Sequence, residues 1–176
     1  IIRNLLNADF ITQDQILDSS IALYKLVVFP GGTTHLLDYL LAPTLGRKIR
    51  NYVFNGGNYL GICGGALLAN WLKLANAKMG YIRLLPYYVY YALLRKRGQV
   101  QIEWQKNNLF NQTGKQKITW VAGPYVTDLG NLNAEATYTK NKPFLPLKGK
   151  SAIASGKHGR GKLILFCPHP EYPVNG

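Results

Sequence analysis

Two short apolar runs, each ending in a glycine-rich turn, constrain this chain more than any other feature of its sequence. Residues 22–29 (ALYKLVVF) lead into Pro-Gly-Gly, and residues 58–62 (NYLGI) lead into Cys-Gly-Gly. Short runs rich in β-branched and apolar residues are typical of buried parallel strands. A helical pattern follows each run, so the chain alternates strand, helix, strand and helix. This order predicts a parallel sheet with right-handed crossover connections.

Both helices can be outlined from the spacing of their apolar residues. In the first, apolar residues recur at helical spacing while basic residues take the other face: Leu45, Ile49, Tyr52 and Val53 against Arg47, Lys48 and Arg50. Gly56 and Gly57 are predicted to end this helix. The second helix is predicted over residues 65–75 (GALLANWLKLA), just after the cysteine.

The second half of the chain changes to short aromatic runs with strand character, punctuated by Gly, Asn and Pro. These runs occupy residues 87–94, 99–104, 117–122, 134–140 and 151–156, and a last apolar strand follows at 161–167. We expect the short runs to form antiparallel strands added to the parallel core. The prediction is an α/β fold in a single domain over residues 1–176. The chain begins without Met and stops abruptly, so residues are expected to be missing at both ends.

The charge balance is compatible with an anionic partner or with a solvated basic surface. The chain has 21 Lys and Arg residues against 8 Asp and Glu, so at least 13 basic residues lack an acidic partner. Nucleic acid or anionic lipid would suit that surplus. The bases are scattered and no nucleic-acid motif accompanies them, which favours the solvated surface. Residues 156–163 (GKHGRGKL) nearly match a phosphate-binding loop, but Leu163 replaces the metal-binding hydroxyl and a strand follows.

Other features of the composition narrow the class of protein. No apolar run approaches about 18 residues, so no membrane span is predicted. Two cysteines do not make a disulfide framework, which predicts a reducing compartment, the cytoplasm. No group of His, Cys and Asp residues has the spacing of metal ligands, and we predict neither a metal nor a cofactor.

Cys63 stands in the setting that a nucleophile requires. A sharp turn between strand and helix lifts such a residue above the sheet, and small neighbours let a substrate approach closely. Gly61 precedes Cys63, and Gly64 and Gly65 follow it. The start of a helix also favours a thiolate. The alternative is a small buried cysteine in a glycine-rich turn. Cys167 is interpreted as a buried thiol at the end of the last strand, which is favoured over a redox pair with Cys63.

His169 is the histidine best placed to serve Cys63. His35 has no neighbour that would orient it, and His158 lies in a predicted hairpin turn. His169 follows the last apolar strand, and the proline after it favours an extended backbone. Residues two apart in an extended chain point to similar sides, so Glu171 can reach the ring of His169 and fix its tautomer. The alternative is a hydrogen-bonded histidine in a surface loop.

The Pro-Gly-Gly turn is predicted to complete the site. One of its glycines, Gly31 or Gly32, is expected to direct a backbone N–H group at the reacting carbonyl, with the N–H of Gly64 as a second donor. Gly31 and Gly65 are expected to line the substrate site. The alternative is a simple turn at the end of a strand.

Three motifs in this order resemble the class I glutamine amidotransferase-like superfamily. They are FPGG (29–32), YLGICGGA (59–66) and CPHPEY (167–172). The closer resemblance is to the amidotransferase-like domain at the N-terminus of eukaryotic-type biotin–protein ligases, which also occurs as a free-standing bacterial protein. It spans about residues 22–172 and includes AGPYV (122–126).

The resemblance implies a flavodoxin-like three-layer sandwich with a mostly parallel central sheet. It also implies a role for each site residue: Cys63 as nucleophile, His169 as base, Glu171 as orienter, and Gly32 and Gly64 as oxyanion donors. It further places the end of the first helix and the second strand within residues 4–17. Glutamine amidotransferases carry a glutamine four residues after the nucleophile, where this chain has Leu67, and that departure argues against glutamine as the substrate.

Three functions are compatible with this sequence. The first is a cysteine-dependent hydrolase or amidotransferase-like enzyme acting on an amide C–N bond in a small molecule or peptide. The second is a non-catalytic binding or regulatory module, like that of biotin ligases, which uses the same pocket. The third, a nucleic-acid-associated protein on an α/β scaffold, is not favoured.

Overall fold

A computed structural model confirms a mixed α/β fold. The residues that it describes are 8–32, 43–69, 72–74, 77–79, 82, 84–85, 89–90, 97–126, 129–143 and 145–173. The helical elements within them are α1 (Gln13–Leu17), a 3₁₀ turn (Ser20–Leu23), α2 (Pro43–Phe54) and α3 (Gly64–Leu68). The strands are β1 (Leu26–Phe29), β2 (Asn58–Ile62), β3 (Leu72–Leu74), β4 (Ala77–Met79), β5 (Val89–Tyr90), β6 (Arg97–Trp104), β7 (Lys115–Val121), β8 (Tyr125–Val126), β9 (Asn133–Tyr138), β10 (Ser151–His158) and β11 (Gly161–Phe166).

Most of these strands belong to one mixed sheet. Its order is β1–β2–β11–β10–β9–β6–β7, and β8 pairs with both β10 and β5. The β1–β2 and β2–β11 pairings are parallel, so the predicted strand–helix–strand core is present. The other pairings described in this sheet are antiparallel, in agreement with the predicted added strands. The parallel part is therefore confined to three strands at one end of the sheet.

Helix α2 forms where the apolar spacing predicted it. The residues of its apolar face are all buried, namely Leu45, Ile49, Tyr52 and Val53. After Phe54 the chain reverses at Gly56, which has φ +115°. The N–H groups of Gly56 and Gly57 donate to the carbonyls of Val53 and Tyr52, which is the hydrogen-bond pattern of a glycine-terminated helix.

Two predicted segments were wrong. The helix predicted over 65–75 ends at Leu68, and β3 pairs with β4 as a hairpin (Leu72–Leu74 with Ala77–Met79). The strand expected within 4–17 is replaced by α1, because Thr12 and Gln15 exchange hydrogen bonds in a capping box that starts a helix. In the run 87–94, Val89 and Tyr90 form β5, and the other residues lie outside the described part.

The sheet curls until its two halves meet again beyond β11. The chain leaving β11 forms a bridge with β7, in which the N–H of His169 donates to the carbonyl of Thr119 at 2.8 Å. The hydroxyl of Thr119 donates to the carbonyl of Pro173 at 3.3 Å. This closure brings the end of the parallel strands beside the far edge of the antiparallel ones.

A buried carboxylate holds the loop between β6 and β7. Glu135 on β9 is 4% exposed. Its carboxylate accepts hydrogen bonds at 2.5 Å from the hydroxyl of Ser155 and from the N–H of Leu109, and its carbonyl accepts one from the N–H of Gln105. The carboxylate therefore links the loop to two strands of the sheet.

Replacing Glu135 with alanine is expected to lower the free energy of unfolding by about 2–3 kcal/mol, because two hydrogen bonds to a buried charge are lost. Urea unfolding followed by circular dichroism measures the change. Glu103 on β6 is exposed, so Glu103→Ala should stay within about 0.5 kcal/mol of the parent. Equal effects of the two substitutions would contradict the structural role of Glu135.

Candidate functional site

Cys63 occupies the sharp turn between β2 and α3. Its backbone has φ +48° and ψ −105°, a conformation that costs a non-glycine residue roughly 1–3 kcal/mol. The N–H of Cys63 donates to the carbonyl of Phe166 at 2.7 Å, and its carbonyl accepts from the N–H of Leu67 at 3.1 Å. The side chain is buried, and Sγ lies 3.6 Å from the carbonyl oxygen of Val121. The neighbouring strand and helix thus sustain a strained turn of the kind that presents nucleophiles.

Close backbone contacts explain the glycines around Cys63. A Cβ atom on Gly65 would collide with the carbonyl of Phe29 at the end of β1. A Cβ atom on Gly61 would lie 2.6 Å from the carbonyl oxygen of Gly65, which accepts a 2.6 Å hydrogen bond from the hydroxyl of Tyr59. Helix α3 therefore packs directly on the ends of β1 and β2. Gly65 was expected to line the substrate site, and the contact described for it is with Phe29 at the end of β1.

His169 and Glu171 form the ion pair expected from their spacing. Nδ1 of His169 lies 2.7 Å from Oε1 of Glu171, and both side chains are largely buried. Oε2 of Glu171 is buried without a hydrogen-bond partner among the described residues. Cys63 lies close enough to His169 to raise the pKa of its ring. The curled sheet thus places Cys63, His169 and Glu171 near one another.

The two partners of His169 alter its protonation. Burial alone would lower the pKa of His169, but the hydrogen bonds to Cys63 and Glu171, together with the charges of both, raise it to about 9. An imidazolium ion, paired with the carboxylate of Glu171, is therefore favoured at neutral pH.

This raised pKa predicts how stability depends on pH. Since the folded-state pKa lies above the ordinary value of 6.5, the stabilisation is complete below pH 6.5 and is lost as the pH rises through about 9. We expect the difference in unfolding free energy between the parent and a His169→Gln variant to shrink over that interval. Urea titrations at several pH values measure it, and a constant difference from about pH 6 to about pH 9.5 would contradict the raised pKa.

The Pro-Gly-Gly turn lies against the same three residues. A Cβ atom on Gly31 would lie 2.5 Å from Cε1 of His169 and 3.3 Å from Cβ of Cys63, so Gly31 fits where a larger residue does not. A Cβ atom on Gly64 would lie 2.6 Å from the carbonyl oxygen of Gly32 and 3.2 Å from its nitrogen. Gly32 and Gly64 are thus neighbours, with the Gly32 carbonyl nearer to Gly64 than the Gly32 N–H.

Several other residues from the sequence analysis can be placed. Cys167 is fully buried beside Ala152, and burial raises the pKa of its thiol, as an inert strand-end cysteine requires. Leu67, at the position of the glutamine of amidotransferases, is buried in the apolar core. His158 ends β10 and its ring meets Phe54 edge-on. His35 lies outside the described residues.

Four residues that surround the site were not predicted from the sequence. The backbone carbonyls of Thr119 and Val121 contact His169 and Cys63, but backbone contacts leave no mark on residue type. Tyr172 stacks on the ring of His169 with centroids 5.1 Å apart, and the guanidinium of Arg97 lies 5.7 Å from the Tyr172 ring centre. The tyrosine directly after Pro-Glu was the available signal, because an exposed aromatic residue beside a buried histidine suggests stacking.

The geometry can support thiol chemistry on a carbonyl compound. A sulfur in a strained turn lies near an imidazole ring that is paired with a carboxylate. Among the described residues, no group of three or more His, Cys, Asp and Glu side chains has the arrangement of a metal site. No helix in the described part is long and apolar enough to cross a membrane.

Comparison with known proteins supports the predicted resemblance. Residues 10–71 match the model of the family described as biotin-protein ligase, N terminal. None of the curated proteins compared with the chain matches its sequence. The fold is similar to that of a provisionally assigned GMP synthase component from Thermoplasma acidophilum, with a TM-score of 0.64 and 16% identity over 97% of this chain and 75% of the other. It is also similar to PurLQS from Thermotoga maritima, with a TM-score of 0.61 and 20% identity over 86% and 71%.

A further structural neighbour is a much longer protein. The β-galactosidase from Bacillus circulans sp. alkalophilus has a TM-score of 0.59 and 15% identity, with coverage of 88% of this chain and 22% of the galactosidase. The chain spans about a fifth of the length of the galactosidases that it matches. Likenesses at these identities show a shared fold alone, and the family match covers residues 10–71.

Proposed function

We propose that this chain, with its biotin–protein ligase N-terminal match and its amidotransferase-like fold, is a cysteine-dependent hydrolase or amidotransferase-like enzyme. The substrate is an amide in a small molecule or peptide. Cys63 is the nucleophile, His169 the base and Glu171 the residue that orients it. The observation that carries the proposal is that His169, whose pKa is raised, lies beside a cysteine held at positive φ. Strained and pKa-shifted groups that meet in this way are characteristic of active sites.

The proposed reaction has two halves. The Cys63 sulfur attacks the amide carbon, and the carbonyl oxygen becomes an oxyanion held by the N–H groups of Gly32 and Gly64. His169 then gives its proton to the leaving amine, and the C–N bond breaks to leave a thioester. Water attacks the thioester, with His169 accepting its proton, and the acid product is released with the free thiol. An amine in place of water would give transfer.

The two oxyanion donors of this scheme come from neighbouring backbone segments. A Cβ atom on Gly64 would lie 3.2 Å from the nitrogen of Gly32, which supports a shared oxyanion between the two residues. Outside the helices and strands, no backbone hydrogen bond between described residues uses the N–H of Gly32.

The second candidate function is a binding or regulatory module. Leu67 supplies no polar group where amidotransferases hold glutamine, and the family match is to a domain of a ligase rather than to a glutaminase. In that case the same pocket binds a ligand without cleaving it. A reducing compartment such as the cytoplasm, a single domain over 1–176 and a three-layer flavodoxin-like sandwich accompany both proposals.

Alkylation of Cys63 with iodoacetamide, followed by intact mass, separates the two functions. An enzyme-like site should react at a rate that reaches a plateau near neutral pH, and buried Cys167 should stay unmodified. Amide cleavage is then assayed as ammonia release from glutamine, asparagine and peptide amides. Loss of ammonia release in a Cys63→Ala variant supports the enzymatic function. A Cys63 rate that climbs through about pH 8.5 like that of a free cysteine refutes it.

A further inference from the structure

The polar face of the β6–β7 hairpin is strongly basic and adjoins the candidate site. Its exposed or half-buried cations come from both strands and from the segment after β9: Arg97, Lys115, Lys117, Lys140 and Lys142. Glu103, the acidic residue of β6, lies opposite Lys115 on β7, at the far end from Arg97. Among the described residues, the other four cations form no ion pair with a carboxylate, since the ion pair described joins His169 to Glu171.

A cleft of about 230 Å³ lies within this face. Gln99 and Gln101 lie on one strand, Lys117 lies opposite them on β7, and Lys140 and Lys142 close the other side. Side-chain amides between lysines suit carboxylate or phosphate groups, which accept hydrogen bonds from both. Lys117 is four residues from Val121, or about 13 Å along the strand, so the cleft is within reach of the Cys63 sulfur.

The outer edge of β7 offers backbone groups as well as charge. The N–H of Trp104 donates to the carbonyl of Gly114, which makes the even-numbered residues of β7 the ones bonded to β6. Odd-numbered residues therefore point their N–H and C=O groups outward. The outward carbonyls of Thr119 and Val121 contact His169 and Cys63, whereas no backbone hydrogen bond is described for the outward groups of Lys115 and Lys117.

As far as Pro173, where the described part ends, the chain forms no further bridge along that edge. After the bridge at Thr119 it turns, because Pro170 has no N–H and the Tyr172 N–H returns to the carbonyl of His169 at 3.4 Å. An extended peptide can pair with the free part of the edge by adding a strand. It would then run in line with His169 and toward Cys63.

We propose that the edge and polar face of β6–β7 bind an acidic peptide segment of the substrate and present its amide to Cys63. The proposal rests on the proposed function for the amide chemistry, but the binding it describes does not require that chemistry. Open backbone donors and acceptors favour a peptide over a nucleic acid, whose phosphates can only accept hydrogen bonds. The surplus of lysines then selects carboxylate side chains over basic ones.

Fluorescence anisotropy with a labelled octaglutamate peptide tests the proposal. A triple variant, Lys117→Gln with Lys140→Gln and Lys142→Gln, should bind about 10-fold more weakly, since three exposed charge pairs are lost. A matched triple variant at exposed lysines elsewhere, Lys25→Gln with Lys157→Gln and Lys162→Gln, should stay within about 2-fold. Equal losses in the two variants, or no binding of octaglutamate to the parent, overturn the proposal.

Two further variants test the backbone edge of β7 and the chemistry of Cys63 separately from the lysine charges. Lys117→Pro removes an outward N–H without breaking a bond to β6, so it should weaken binding roughly 5-fold beyond Lys117→Gln, provided that both variants melt like the parent. Cys63→Ala should bind octaglutamate normally, so an inert thiol would refute the proposed function and leave this binding intact. Tighter binding of an eight-residue thymidine oligonucleotide through the same lysines would replace the peptide with nucleic acid.

Discussion

Replacing His169 with alanine is expected to slow the alkylation of Cys63 roughly 10-fold at pH 7, because a thiol without its partner is only a few per cent ionised. Any amide turnover should fall by about 10²–10⁴, the usual contribution of a general base. The cause is the loss of the imidazolium beside Cys63, since His169 lies close to Cys63 and its pKa is raised to about 9. Stopped-flow or mass-based alkylation rates across pH measure the change.

His158 provides the matched control for this substitution. It is also a histidine in the second half of the chain, but it packs against Phe54 at the end of β10. His158→Ala should leave the alkylation rate of Cys63 unchanged. If both histidine variants react like the parent, His169 has no influence on the sulfur and the enzyme proposal is wrong.

The substitution Gly31→Ala should have an effect of similar size on the site with little effect on the fold. The added Cβ atom would lie 2.5 Å from Cε1 of His169 and 3.3 Å from Cβ of Cys63, so the ring must shift from its place beside Cys63. Gly31 does not have a positive φ, so alanine is tolerated by the backbone. We expect Cys63 alkylation at pH 7 to slow by roughly 10-fold, as for loss of the histidine itself.

Substitutions at two other glycines distinguish crowding at the site from a general loss of stability. Gly98→Ala meets only the end of the Lys142 side chain and should behave like the parent in both rate and stability. Gly65→Ala meets the backbone of Phe29 and should lower the unfolding free energy by about 1–3 kcal/mol or more. If Gly31→Ala lowers stability as much as Gly65→Ala does, its effect on Cys63 is general damage.

The local features of the fold were predictable because each depends on a few neighbouring residues. The spacing of Leu45, Ile49 and Val53 located α2, and glycine located its end at Gly56. The length of the next helix was not predictable. Residues 65–75 are apolar enough for a helix, but the pairing of Leu72–Leu74 with Ala77–Met79 gives part of that run a strand partner.

The candidate site was also predictable only in part. The spacing of His169 and Glu171 predicted their ion pair, because two residues in one extended segment have few other arrangements. The contacts of Thr119 and Val121 with the site depend on how the sheet curls, and their side chains carry no trace of a backbone contact. The position of Arg97 beside Tyr172 could not be predicted, because it is set by the register of β6 against β7.

The bridge between Thr119 and His169 has a consequence for the order in which reactivity arises during folding. Cys63 belongs to the parallel strands, whereas His169 is fixed in place by its pairing with an antiparallel strand at the far edge of the sheet. A chain that has assembled the first half alone carries an ordinary thiol, because contacts so distant in sequence form late. The candidate site is therefore complete only once the whole sheet has closed.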